Sequence, residues 1–78
     1  MLSLNTLSIE KLHNKIGENV KKYREAKGMT QLELSQAIGH SGTTIISLGE
    51  IGKGKHFNIK QLHQISIALD VNICKLFE

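Results

Sequence analysis

The stretch TQLELSQAIGHSGTTIISL, from Thr30 to Leu48, decides the fold that this sequence predicts. It opens with a capping box, in which Thr30 accepts from the backbone N–H of Glu33 and the Glu33 side chain reaches back to Thr30. Apolar residues follow at helical spacing as far as Gly39, a residue typical of the left-handed end of a helix. Ser41 is then expected to cap a second helix. A helix, a glycine turn and a second helix at a steep angle form the unit that places a helix in a DNA groove.

The second of these helices carries conflicting local signals. Its sequence TTIIS is β-branched and, read alone, also fits a strand. The cap at Ser41 and the three-residue spacing of Ile45 and Leu48 favour a helix, with these two apolar residues facing the core. Ile46 then falls toward the exposed side, where it either touches a thymine methyl group or turns inward.

The same residues resemble the phage-repressor family of Cro- and XRE-like helix-turn-helix regulators. The resemblance implies an all-α, compact five-helix domain like that of lambda repressor, covering the chain from about Ile16 to Phe77. The segments that carry it are GMTQ (Gly28 to Gln31), ELSQAIG (Glu33 to Gly39), Ser41, Ile45 and ISIALDV (Ile65 to Val71).

One spacing departs from the family pattern. The family usually places a Glu-x-Gly eight residues after the serine that matches Ser41, whereas here Glu50 comes one residue later. We expect the extra residue to lie after Leu48. The resemblance also implies that Arg24 of the first helix pairs with Glu50, and we expect a local distortion around Gly49 to preserve this pair.

The rest of the chain predicts a short arm followed by one domain. Residues 1–7 are expected to form a loose N-terminal arm, and residues 8–78 the helix-turn-helix domain, whose first helix ends at Gly28. Gly49 to Phe57 is predicted to be a loop. Asn58 begins a fourth helix through a cap to Gln61, with a buried side of Ile59, Leu62, Ile65, Ser66 and Leu69. Asn72 caps a short fifth helix of Ile73, Leu76 and Phe77.

Length and composition restrict the classes of function. Seventy-eight residues allow one modest core and little room for a catalytic cleft, so we expect no enzyme, cofactor or metal site. Ten Lys and Arg against seven Asp and Glu give a charge of +3, which is compatible with a polyanionic partner. The single cysteine, Cys74, fits a reducing cytoplasm and is expected to be a small core residue. No stretch predicts a membrane span or a signal peptide.

The loop GEIGKGK, Gly49 to Lys55, matches the glycines and lysine of a phosphate-binding P-loop. A P-loop next requires Ser or Thr for Mg²⁺, and here the residue is His56. It also requires a parallel sheet that this length does not accommodate. The glycine N–H groups and the two lysines, Lys53 and Lys55, suit a DNA phosphate equally well.

The candidate DNA-binding residues fall in three places. By resemblance, Gln31 contacts a phosphate at the start of its helix; otherwise it is a polar first-turn residue. Thr43 and Ser47, four apart, are expected to face the groove, and Gly42 to allow close backbone approach. The alternative is that they are small polar residues on a solvated helix face. The full set is Gln31, Ser41, Gly42, Thr43, Thr44, Ser47, Lys53 and Lys55.

The sequence therefore predicts a transcriptional regulator that binds double-stranded DNA sequence-specifically. We expect it to be a repressor that binds a two-fold operator as a homodimer. One alternative is the antitoxin of a toxin–antitoxin pair, which also binds a toxin protein. Another is a protein-interaction module that keeps the fold without binding DNA, which the displaced Glu50 and the short side chains favour.

Overall fold

The computed structural model describes residues 2–52 and 56–78, with side chains from Ile9 onward. Every regular element in this part of the chain is a helix, and it contains no strand. Four α-helices are present: α1 (Leu2–Ala26), α2 (Gln31–Ala37), α3 (Thr44–Ile51) and α4 (Ile59–Leu69). A 3-10 helix, Ile73–Phe77, follows them. The all-α class is as predicted, but the fifth element is a 3-10 turn instead of an α-helix.

The first helix is longer than the sequence predicted. The backbone is helical from Leu2, where a loose arm over residues 1–7 was expected, and α1 contains 25 residues. Apolar residues at Leu2, Leu4 and Leu7 did not reveal the helix because they lack a clear helical period. The other end is as predicted, since Gly28 has a left-handed φ of 73°.

Both predicted capping boxes are confirmed. The Glu33 backbone N–H donates to Thr30 Oγ1 at 3.0 Å, and the Thr30 N–H donates to Glu33 Oε1 at 2.8 Å. At α4, the Gln61 N–H donates to Asn58 Oδ1 at 2.7 Å and its side chain accepts in return at 2.9 Å. These contacts satisfy backbone donors that a helix start otherwise leaves unpaired.

The core is aliphatic apart from one phenylalanine. Its fully buried members lie on all four helices and on the 3-10 turn. Two residues expected in the core are instead exposed: Ile59 is 73% exposed at the first position of α4, and Cys74 is exposed on the 3-10 turn. The core residues are Ile16, Val20, Leu34, Ile38, Ile46, Phe57, Leu62, Ile65, Leu69 and Leu76.

α1 and α3 cross at very short range. A Cβ on Gly17 would lie 2.5 Å from the carbonyl oxygen of Gly49 and 2.7 Å from that of Glu50, so only glycine fits on α1 at this point. Two residues further along, α1 is tied to the 3-10 turn, since Asn19 Nδ2 donates to the carbonyl oxygen of Leu76 at 2.9 Å. α1 is therefore the scaffold that holds α3 on one side and the C-terminal turn on the other.

None of the helices in the described part of the chain is long and apolar enough to cross a membrane.

Candidate nucleic-acid interface

α3 begins later than the sequence predicted. Its N-cap is Thr43, and α3 runs without interruption from Thr44 to Ile51. Ser41, the expected cap, lies in the preceding bend and is exposed, and no side-chain hydrogen bond caps the helix. The turn between α2 and α3 is thus longer than predicted, since it continues past Ser41 to Thr43.

The late start also changes which residues of α3 face the core. Ile46 is fully buried, and Gly49 and Glu50 are buried on the same side. Ile45 is half-buried and packs against the core as predicted, but Leu48 is not among the residues packed there, so that part of the prediction was wrong. Because α3 is continuous as far as Ile51, the extra residue lies before Thr44, in the α2–α3 turn, and not after Leu48.

The predicted pair of Arg24 and Glu50 is confirmed. Arg24 Nε donates to Glu50 Oε2 at 2.6 Å, and Arg24 Nη2 donates to Oε1 at 3.1 Å. Arg24 Nη1 also donates to the carbonyl oxygen of Met29 at 2.8 Å. The hydrogen bonding to Glu50 raises the pKa of the Arg24 guanidinium, against the opposing effect of burial.

The distortion expected at Gly49 is absent from the continuous helix. Gly49 instead receives the ring of Phe57, which occupies the space where a Cβ would project. The Arg24–Glu50 pair forms because the extra residue lies in the α2–α3 turn, before the start of α3. Glu50 therefore remains opposite Arg24.

Gln31 belongs to the same network. Its Nε2 donates to Glu50 Oε1 at 3.0 Å, and the side chain is half-buried. Glu50 therefore joins three helices, through Arg24 of α1, Gln31 of α2 and its own place near the end of α3. An amide carries two N–H donors, so this contact leaves one donor of Gln31 for another acceptor.

A groove of about 500 Å³ opens beside this network. Lys21 of α1, Gln31 of α2 and Ser47 and Ile51 of α3 line it, together with the two carboxylates of Glu18 and Glu50. Lys21 is not among the candidate residues predicted from the sequence. Its spacing, one helical turn before Arg24 on the same helix, was the signal that it lies beside the α3 network.

The remaining candidate residues lie at the start of α3 and beyond its end. The four residues from Ser41 to Thr44 are exposed. All of them except Thr43 line a hollow of about 290 Å³, together with His40 and Ile45. Ser47 is half-buried, and its Oγ donates to the carbonyl oxygen of Thr44 at 3.3 Å. Lys53 and Lys55 lie outside the described residues.

The fold and this surface define a helix-turn-helix protein whose third helix is fixed by a buried ion pair. The model of the helix-turn-helix family matches residues 20–76, which is most of the chain. The chain belongs to this family, that of the Cro- and XRE-like regulators, and it is a DNA-binding transcriptional regulator.

Among solved structures, the fold is similar to that of the restriction-modification controller protein C.AhdI from Aeromonas hydrophila. The two share 25% sequence identity, with a TM-score of 0.75 over 82% of this chain and 94% of that chain. No significant match was found among curated proteins.

Proposed function

We propose that this regulator acts in the cytoplasm as a homodimeric repressor, which binds a two-fold operator with α3 in the major groove and excludes polymerase from the promoter. The observation that supports this proposal best is the Arg24–Glu50–Gln31 network. It fixes α3 against α1 and α2 on its buried side and leaves the opposite side of α3 without a packing partner from the core. A helix held in this way is preorganised for docking into a groove.

The phosphate contacts are proposed to flank α3. Lys21 and Gln31 lie on one groove with Ser47, so a phosphate there meets one cation and one amide donor. Lys53 and Lys55 follow α3 directly in the sequence and are proposed to contact the backbone beyond its end. Ser41, Gly42, Thr43 and Thr44 are proposed to approach the DNA at the other end of α3, where they are exposed.

The likeness to a restriction-modification controller protein supports a regulatory role for this chain. The proposal does not require the same target, because an operator is read by side chains of α3 and not by the fold.

Binding to operator-like duplex DNA, measured over a range of salt concentrations, tests the proposal. With ~4–8 phosphates neutralised per dimer, log K should fall against log salt with a slope of roughly −4 to −7. Lys21→Ala should make the slope shallower by about one unit per protomer in contact. Lys22→Ala is the matched control, because Lys22 is the next residue of α1, carries the same charge and does not line this groove; its Nζ lies 5.1 Å from the centroid of the Tyr23 ring. A response to salt that is flat would remove DNA as the partner and favour a protein-interaction module.

A further inference from the structure

We propose that Leu48 reads the methyl group of thymine in the operator, with Thr44 and Ile51 beside it on the outer face of α3. This inference rests on the proposed function, since it concerns the same helix in the same groove. It differs from the sequence prediction, in which Thr43 and Ser47 face the bases and Leu48 faces the core.

The direction of each side chain follows from the fully buried Ile46. Successive residues of an α-helix are rotated by about 100°, so a residue two positions away lies about 160° round the axis. Thr44 and Leu48 are each two positions from Ile46, one on either side, and both therefore point almost directly away from the core. Ile51, five positions after Ile46, lies about 140° from it on the same outer face.

The core contacts of the apolar residues agree with these directions. Ile45 is half-buried and packs against the core, whereas Leu48 is half-buried without packing against it. Ile51 is 58% exposed. The outer face of α3 therefore carries two aliphatic side chains, Leu48 and Ile51, and one threonine, Thr44.

Ser47 is displaced from the centre of this face. It lies one position after Ile46, about 100° round the helix, and borders the groove with Lys21 and Gln31. Its hydroxyl is occupied by the carbonyl oxygen of Thr44. Because Ser47 lies at the flank of α3 beside Lys21 and Gln31, it is closer to where the DNA backbone would lie than to the base edges.

The chemistry of the outer face selects thymine. In the major groove only thymine presents a methyl group, and aliphatic side chains and the threonine methyl contact it. Neither Leu48 nor Ile51 can form the bidentate hydrogen bonds that distinguish guanine or adenine. Both residues therefore gain from a thymine opposite them and gain nothing from the polar edges of the other bases.

The occupant is DNA, because the apolar face adjoins a groove that presents the ammonium of Lys21 and an N–H donor of Gln31. Of the two carboxylates on this groove, that of Glu50 is neutralised by its buried pair with Arg24. Ile51 lines the same groove as Lys21 and Gln31, so a partner that covers the outer face of α3 also meets a positive charge and an amide at its edge. A DNA duplex matches both features, because its major groove presents thymine methyl groups to the apolar face and its phosphates border the groove, near the lysine and the amide.

The experiment uses the operator selected by the wild-type protein from random duplexes. Each thymine of the half-site is replaced by uracil, which removes only the C5 methyl group. At the thymine opposite Leu48 the affinity of the wild-type protein should fall about fourfold per methyl lost. Leu48→Gln, which keeps the length and the helix propensity, should bind thymine and uracil sites equally, whereas Ser47→Ala should keep the wild-type sensitivity.

The outcomes separate this inference from the proposed function. Two results would overturn the role of Leu48 while leaving the proposed function intact, provided that operator binding depends on salt. In the first, no uracil lowers the affinity; in the second, Leu48→Gln loses as much affinity at uracil as the wild type does. Absence of any salt-dependent binding to duplex DNA would overturn both. The far-ultraviolet circular dichroism of Leu48→Gln should match that of the wild type, and its thermal unfolding should remain cooperative, because Leu48 is not part of the core cluster.

Discussion

Glu50 is the residue on which the orientation of α3 depends. It is buried and accepts hydrogen bonds from Arg24 and Gln31, so Glu50→Gln leaves the guanidinium of Arg24 buried without a counter-charge. Removing one partner of a buried pair costs about 3–5 kcal/mol, and urea unfolding should show a loss of that size. Glu18→Gln, which changes an exposed carboxylate on the same groove, should alter the unfolding free energy by less than about 0.5 kcal/mol. Equal effects of the two changes would show that the buried pair does not stabilise α3.

Ser35 presents the opposite case of a polar group without a partner. It is fully buried, and its Oγ makes no hydrogen bond within the described part of the chain. An unsatisfied buried hydroxyl costs about 1–3 kcal/mol, so Ser35→Ala should raise the free energy of unfolding by about 1 kcal/mol. Ser66 is the matched control, because it is also buried but donates to the carbonyl oxygen of His63 at 2.7 Å. Ser66→Ala should therefore not stabilise the domain, and a gain equal to that of Ser35→Ala would contradict the argument.

His13 links α1 to the segment that follows α3. Its ring stacks on that of His56 with 3.7 Å between the centroids. Burial, and then the charge of His56, lower the pKa of His13 below its ordinary value of 6.5. The native state then binds a proton less readily than the unfolded chain, so stability is full above pH 6.5 and falls as the pH drops through the lowered pKa. Thermal unfolding at pH 7.5 and 5.5 should show this loss, and His13→Phe should reduce it, whereas a change at the exposed His63 should not.

At the scale of the elements, the crossing of α1 and α3 controls the fold. Gly17→Ala would place a Cβ against the backbone oxygens of Gly49 and Glu50, which have no freedom to move aside. Alanine is the better helix former, yet overpacking of this kind costs about 1–3 kcal/mol, so we expect a net loss in urea unfolding. Gly42→Ala is the control, because a Cβ there meets nothing within 4 Å. It should leave the fold intact and reduce DNA affinity only if the backbone of this turn approaches a phosphate.

The elements also show what the sequence predicts and where it fails. The capping boxes at Thr30 and Asn58 were predictable because each is a local pattern that needs only its own four residues. The register of α3 was not, because the extra residue before Glu50 fits equally well in the α2–α3 turn or after Leu48. The difference is decided by tertiary packing: the position of Arg24 and the space for the Phe57 ring beside Gly49 fix the end of α3. The predicted core face of α3 inherited this error, since one residue rotates a helical side chain by about 100°.

The whole molecule is elongated by its first helix. α1 has 25 residues, a length of about 37 Å at 1.5 Å per residue, and the longest extent of the molecule is 40 Å against 23 and 20 Å in the other directions. The family match begins at residue 20, so more than half of α1 precedes it. Of the α1 residues with described side chains in that part, Ile9 and Leu12 are 56% and 42% exposed. The part of the chain that matches the family therefore comprises the C-terminal part of α1 and the helices after it, and it includes Arg24, which holds α3.

Assembly of the whole regulator is proposed to use the C-terminal turn. Leu76 is fully buried and anchors the 3-10 turn to α1 through the bond from Asn19, whereas the neighbouring Phe77 is 40% exposed. A fixed turn that presents a phenylalanine suits a symmetric contact, in which each copy buries the ring of the other. Burial of such a ring contributes about 1.5–3 kcal/mol, so Phe77→Ala should weaken dimerisation at least tenfold in sedimentation equilibrium while the monomer remains folded.

Ile59→Ala is the control for this assembly, because Ile59 is 73% exposed at the start of α4, away from the 3-10 turn. It should leave the dimerisation constant unchanged. Two-fold operators require recognition helices about 34 Å apart, so Phe77→Ala should also bind a single half-site with nearly wild-type affinity and lose the advantage of a full operator. If the variant keeps both the dimerisation constant and the preference for the full operator, the two copies meet through another surface, and the exposed apolar residues of α1, Ile9 and Leu12, become the next to test.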